Sequence, residues 1–191
     1  MCLWSWKRKL KHLEKIATSA EAKPLEILKN LNLKPGDLVA DIGSGSGFFA
    51  IQFARLVGEN GKVYALDTDE RFLTFVKERA QKEGINNLFT IKVNAFELAL
   101  PENVDLFFLR NVYHHLPEPI KYFVALRKFL KPHGRIAIIE RTKPKRRLFS
   151  RQKHATPESV IVENLIRSGF VISNRFDFLT DQCFLIFRKE V

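Results

Sequence analysis

From residue 38 onward, short unbroken apolar runs alternate with segments of helical periodicity, and that alternation leaves few folds open. Residues 38–42, 62–66, 88–93, 104–109 and 135–139 read as strands. Residues 48–57, 70–83 and 119–130 read as the helices between them. A strand that is apolar on both sides, placed between helices, belongs in a parallel sheet covered on both faces. The pattern changes after residue 141. A helix is predicted over 157–167, with Thr156 as its cap and Pro157 at its first position. Two β-rich runs, 170–178 and 182–188, lie close enough to pair as an antiparallel hairpin. Ahead of the alternation, Leu3, Trp6, Leu10, Leu13 and Ala17 mark one side of an amphipathic helix. A short helix with Pro24 in its first turn follows, then a turn at 34–37. The organisation predicted is a basic helix over 1–23 and one α/β domain over 24–191.

Between the first strand and its helix lies Asp41-Ile42-Gly43-Ser44-Gly45-Ser46-Gly47. Glycines there permit a tight turn and let backbone approach a nucleotide-like ligand. Asp67 closes the second strand, where a carboxylate can accept hydrogen bonds from a ribose diol. Thr68 follows it. Two cofactors compete for such a turn. Gly45-x-Gly47-x-x-Ala50 satisfies a lenient dinucleotide fingerprint, which would make the chain a nicotinamide-dependent oxidoreductase. Asp41 opposes this, because a carboxylate repels a pyrophosphate and attracts a cationic amino group. That attraction is worth about 1–4 kcal/mol at 4 Å, depending on the effective dielectric. The sign of the charge selects S-adenosylmethionine.

The segment 41–47, with Asp67 beyond it, resembles the first motif of the Rossmann-like S-adenosylmethionine-dependent methyltransferases. Leu109-Arg110-Asn111-Val112 and Gly134-Arg135-Ile136 also resemble the menaquinone/ubiquinone C-methyltransferase branch. The resemblance covers about residues 24–190. It implies a three-layer α/β sandwich around a seven-stranded, mostly parallel sheet of order 3-2-1-4-5-7-6, with an antiparallel C-terminal hairpin. It implies cofactor contacts at Asp41, Gly43, Ser44, Gly45, Gly47, Asp67, Thr68, Asn94, Ala95, Arg110 and Asn111, with S-adenosylhomocysteine as product. Many relatives carry an Asp after the third strand where this chain has Asn94. An amide oxygen can accept the same hydrogen bond.

The fourth strand should deliver Arg110, Asn111, Tyr113, His114 and His115 to the carboxyl edge of the sheet, where ligands bind in open α/β folds. Methyl transfer from a sulfonium is an in-line displacement that depends mainly on positioning. A base is needed only where the acceptor starts protonated. His114 or His115 can supply it, since imidazole titrates near neutral pH, and Tyr113 can hydrogen-bond the substrate. No metal site is expected, because no third ligand lies at a usable spacing from the two histidines. The fourth strand lacks the Asn/Asp-Pro-Pro-aromatic motif of amide and adenine N-methyltransferases. Neither cysteine is placed as a nucleophile for pyrimidine methylation. What remains is transfer to oxygen, nitrogen or carbon of a small molecule, lipid, quinone precursor or protein side chain. The rival class is a methyltransferase-like scaffold that performs no chemistry.

The net charge of +11 is informative once located. Residues 1–23 carry six Lys/Arg against Glu14 and Glu21, and residues 141–153 carry seven Lys/Arg and no acid. Those two segments hold the whole excess, so the rest of the chain is neutral. Basic segments with interleaved Trp4, Trp6, Leu148 and Phe149 fit an anionic membrane surface, with RNA the less favoured acidic partner. An amphiphilic or anionic acceptor follows. Cys2 and Cys183 lie far apart and predict no disulfide framework. With no apolar run of membrane-spanning length, the expected location is cytoplasmic, peripheral to the membrane.

Overall fold

The computed structural model describes residues 2–94, 99–143 and 155–190, with side chains from residue 6 onward. The chain divides into two compact units, residues 1–94 and 95–191. The first contains α1 (Cys2–Thr18), α2 (Pro24–Leu31), β1 (Leu38–Ile42), α3 (Phe48–Val57), β2 (Lys62–Asp67), α4 (Glu70–Lys82) and β3 (Leu88–Lys92). The second contains β4 (Val104–Arg110), α5 (Pro119–Leu126), β5 (Leu130–Arg141), α6 (Glu158–Arg167), β6 (Phe170–Phe176) and β7 (Gln182–Lys189).

The strands form one seven-stranded sheet in the order β3-β2-β1-β4-β5-β7-β6, flanked by helices. β1 pairs β2 and β2 pairs β3 in parallel, as does β4 with β5. β7 runs antiparallel to both β5 and β6, so the predicted hairpin is present. Apolar content explains the burial. Val39 and Ala40 of β1, and the run from Leu106 to Phe108 in β4, have no exposed surface. Phe53, Phe107, Phe108, Phe123, Phe170, Phe184 and Phe187 are also wholly enclosed. Each such side chain contributes about 1.5–3 kcal/mol through burial. That core needs no covalent staple.

Two local expectations are corrected, and one stretch of turn-forming residues proves to be strand. The helix predicted over 119–130 ends at Leu126, and a 3₁₀ turn from Arg127 to Phe129 leads straight into β5. The Lys131-Pro132-His133-Gly134 stretch, whose residue types signal a turn, lies inside β5. It is taken up as a bulge, because Val104 pairs Leu130 while Leu106 pairs Arg135. A Cβ on Gly134 would fall 2.6 Å from Leu130 Cγ and 3.0 Å from the Val104 carbonyl oxygen, so the bulge requires glycine. At α6 the cap position is Pro157 rather than Thr156, and the helix starts at Glu158. The Thr156 amide donates to the Arg141 carbonyl at 2.9 Å, which ties that residue to the end of β5.

Candidate functional site

In the first unit, the glycine turn joins the buried end of β1 to α3. Gly43, Gly45 and Gly47 all have positive φ, at 69°, 52° and 72°. The amides of Gly43 and Ser44 donate to the Leu66 carbonyl at 2.8 and 2.9 Å, pinning the turn to β2. The Asp67 carboxylate accepts from the Gly45 amide at 3.0 Å through Oδ2 and from the Asp69 amide at 3.0 Å through Oδ1. Asp41 is 4% exposed. The Ser44 hydroxyl oxygen is buried and has no hydrogen-bond partner among the described residues. Leu13 of α1 reaches the turn, its Cδ1 lying 3.2 Å from where a Cβ on Gly45 would sit. Thr68 and Asn94 are exposed, and Ala95 lies outside the described residues.

In the second unit, β4 ends at Arg110, and Asn111 turns the chain with φ 56°. The Asn111 amide donates to the Ile139 carbonyl at 2.8 Å, and its Oδ1 accepts from Gln182 Nε2 at 2.7 Å. Tyr113, His114 and His115 form a single 3₁₀ turn. Tyr113 is buried, and its hydroxyl accepts from Asn164 Nδ2 at 2.6 Å. Burial raises that phenol above its usual range. The two imidazoles lie with centroids 4.0 Å apart and ring planes tilted by 46°. His114 Nδ1 lies 3.0 Å from Oε1 of Glu140, a carboxylate with no exposed surface.

The first unit brings Asp41, Gly43, Ser44, Gly45, Gly47 and Asp67 together around the turn. In the second unit, His114 and His115 stand together just beyond β4. Glu140 was missed. Its only sequence signal is an acid directly after the apolar run that ends at Ile139.

A glycine turn able to cradle a nucleoside, opening from a sheet of order 3-2-1-4-5-7-6, defines the Rossmann-like S-adenosylmethionine-dependent methyltransferase class. The chain belongs to this family, for a family model described as a methyltransferase domain matches residues 33–185. A demethylmenaquinone methyltransferase from Oceanobacillus iheyensis is 31% identical over 124 residues, covering 62% of this chain and 50% of that protein. A ubiquinone/menaquinone biosynthesis C-methyltransferase from Pseudomonas putida is 34% identical over 125 residues, covering 62% and 47%. The chain spans about half the length of these curated relatives. The crystal structure of an S-adenosylmethionine-dependent methyltransferase from Aquifex aeolicus superposes with a TM-score of 0.82 at 28% identity, covering 94% of this chain and 96% of that one.

Proposed function

We propose that the chain binds S-adenosylmethionine on the turn at 41–47 and catalyses methyl transfer to an oxygen, nitrogen or carbon of an amphiphilic or anionic acceptor. The observation that carries this reading is the turn itself. Three left-handed glycines leave its backbone bare, and the buried Ser44 hydroxyl retains unused hydrogen-bonding capacity. Bound there, S-adenosylmethionine supplies an electrophilic methyl carbon on a sulfonium. Asp41 attracts the cationic amino group of the methionine end. Asp67 would accept from the ribose hydroxyls, and Asn94 would take the adenine edge.

The acceptor class rests on charge. Arg141 follows Glu140 and keeps Nη1 buried without a hydrogen-bond partner among the described residues, a donor suited to an anionic oxygen. The exposed side of α1 is basic. A quinone precursor, the kind of acceptor named for the curated relatives, fits an amphiphilic acceptor, and we take it as the first candidate to assay.

Calorimetry with S-adenosylmethionine, S-adenosylhomocysteine and NAD tests the cofactor. The first two should bind and NAD should not. Asp67→Ala should weaken binding about 10–100-fold, since hydrogen bonds to a charged group contribute about 1.5–3 kcal/mol each. Preferential binding of NAD, or wild-type affinity in both Asp67→Ala and Asp67→Asn, would overturn the assignment. Labelled methyl transfer into lipid, quinone, RNA and protein fractions then identifies the acceptor.

A further inference from the structure

We infer that Glu140 is a positioning residue that holds the His114 ring with its proton on Nδ1, leaving Nε2 as the base that takes the acceptor's proton. The inference rests on the methyltransferase reading above and extends it to a residue with no assigned role. Glu140 is 0% exposed. A carboxylate so enclosed is costly unless donors surround it. Three donors do. His114 Nδ1 stands 3.0 Å from Oε1, the Arg141 amide donates to the same oxygen at 2.9 Å, and the His114 amide approaches Oε2 at 3.4 Å.

An ionised carboxylate only accepts, so the nitrogen facing it must carry hydrogen. In a neutral imidazole with Nδ1 protonated, the free lone pair belongs to Nε2. The double hold on His114, through ring and amide, also fixes the direction of the ring. Its side chain keeps 19% of its surface exposed, so the group is neither sealed into the core nor free in water. His115, whose ring is tilted 46° against it, is exposed.

Two titratable groups near Glu140, Cys183 and Tyr113, add no charge of their own. Cys183 pairs with Glu140 across β5 and β7, and burial pushes its thiol up to about 12. Burial likewise raises the Tyr113 phenol, whose hydroxyl is engaged by Asn164. Both stay neutral at physiological pH.

The step balances without any further reagent. The acceptor's X–H bond gives its proton to His114 Nε2 and its electron pair to the new bond to the methyl carbon. The old carbon–sulfur pair leaves with sulfur, which becomes a neutral thioether. The ring becomes an imidazolium beside the Glu140 carboxylate, which stabilises the charge as it forms.

Nitrogen-15 NMR of the full-length, histidine-labelled protein tests the inference. The measurement is made at about pH 9, above the ordinary histidine range. His114→Gln assigns the signals. Wild-type His114 should show a protonated Nδ1 and an unprotonated Nε2. Glu140→Gln should shift that ring toward the Nε2-protonated form. An Nε2-protonated ring in the wild type would overturn the inference. So would an unchanged tautomer in a Glu140→Gln variant that still binds S-adenosylhomocysteine. If that variant fails to fold, the wild-type spectrum alone decides the tautomer. In labelled methyl transfer to the fraction the wild type modifies, His114→Gln and Glu140→Gln should each lose roughly 10²–10⁴-fold in kcat. Full activity in either would also overturn it. A chain with the Nδ1-protonated ring that binds no S-adenosylmethionine would instead sink the cofactor reading and leave the ring geometry standing.

Discussion

At Gly47 two demands fall on one residue. Its φ is +72°, and a Cβ there would lie 2.5 Å from Val76 Cγ2 on α4. An alanine would incur left-handed strain of about 1–2 kcal/mol and an overpacked contact of about 1–3 kcal/mol. Gly47→Ala should therefore lower stability by about 2–5 kcal/mol, seen as a lower urea midpoint at unchanged slope. A change under about 0.5 kcal/mol would mean that the close approach to α4 is not real. Cys183 carries a different prediction. It is 4% exposed, and with its thiol pushed up to about 12 almost none is thiolate near neutrality. Only the thiolate attacks an alkylating reagent. Native protein treated with iodoacetamide at about pH 8 should leave Cys183 unmodified, whereas urea-unfolded protein should lose it within the same time. Peptide mass mapping reads the outcome, and prompt native modification would contradict the packing of β7.

Among the elements, α4 shows how one cap ties stability to pH. Asp69 precedes it, and its carboxylate accepts from the Arg71 amide at 3.1 Å and from the Arg71 guanidinium at 2.8 and 2.6 Å. The hydrogen bond from the Arg71 side chain is the chief reason its carboxyl is held below the usual carboxylate range. The folded pKa lies below the unfolded one, so the contribution is present above about pH 3.9 and is lost as pH falls through the folded value. Asp69→Ala should cost about 0.5–2 kcal/mol at neutral pH. Denaturant midpoints should show that gap steady down to about pH 5 and shrinking below about pH 4. A gap that widens with acid would refute the role of the cap. Elements like this one are readable from sequence because their punctuation is local. Asp69 opens α4, and Gly43 to Gly47 separate β1 from α3. β5 is less readable because Pro132 and Gly134 carry turn chemistry, yet a bulge against β4 absorbs them. The partner of His114 is harder still. Glu140 lies 26 residues away, and only the parallel pairing of β4 with β5 brings their ends together. Asp67 is legible beside the turn, since a strand-to-helix turn followed by a strand-ending acid is a pattern of spacing, whereas its acceptance from the Gly45 amide is visible only in the fold.

Over the whole molecule, the question is where the surplus of positive charge faces. Residues 144–154, most of the second basic segment, lie outside the described residues, so α1 provides the testable surface. Trp6 packs its ring against Phe72 and Phe75, and Glu14 pairs with Arg79 at 3.0 Å, which fixes the rotation of the helix. Lys7, Arg8, Lys11 and Lys15 then stand exposed on the opposite side. No helix among the described residues is long and apolar enough to cross a membrane, so any such contact would be made at the surface. A cation close to an anionic bilayer contributes about 1 kcal/mol, and exchanging Lys7, Lys11 and Lys15 for Glu removes at least three such terms. Sedimentation with phosphatidylserine-containing vesicles should show binding about 100-fold weaker in the triple variant. Wild-type binding should fall as the Debye length drops from about 30 Å at 0.01 M salt to about 3 Å at 1 M. An RNA gel shift in the same low-salt buffer separates the two acidic partners. Retention of RNA without vesicles would transfer the proposal to nucleic acid. Failure to hold either at low salt would leave α1 a solvated cover over the glycine turn, and the acceptor would then have to be sought among soluble metabolites.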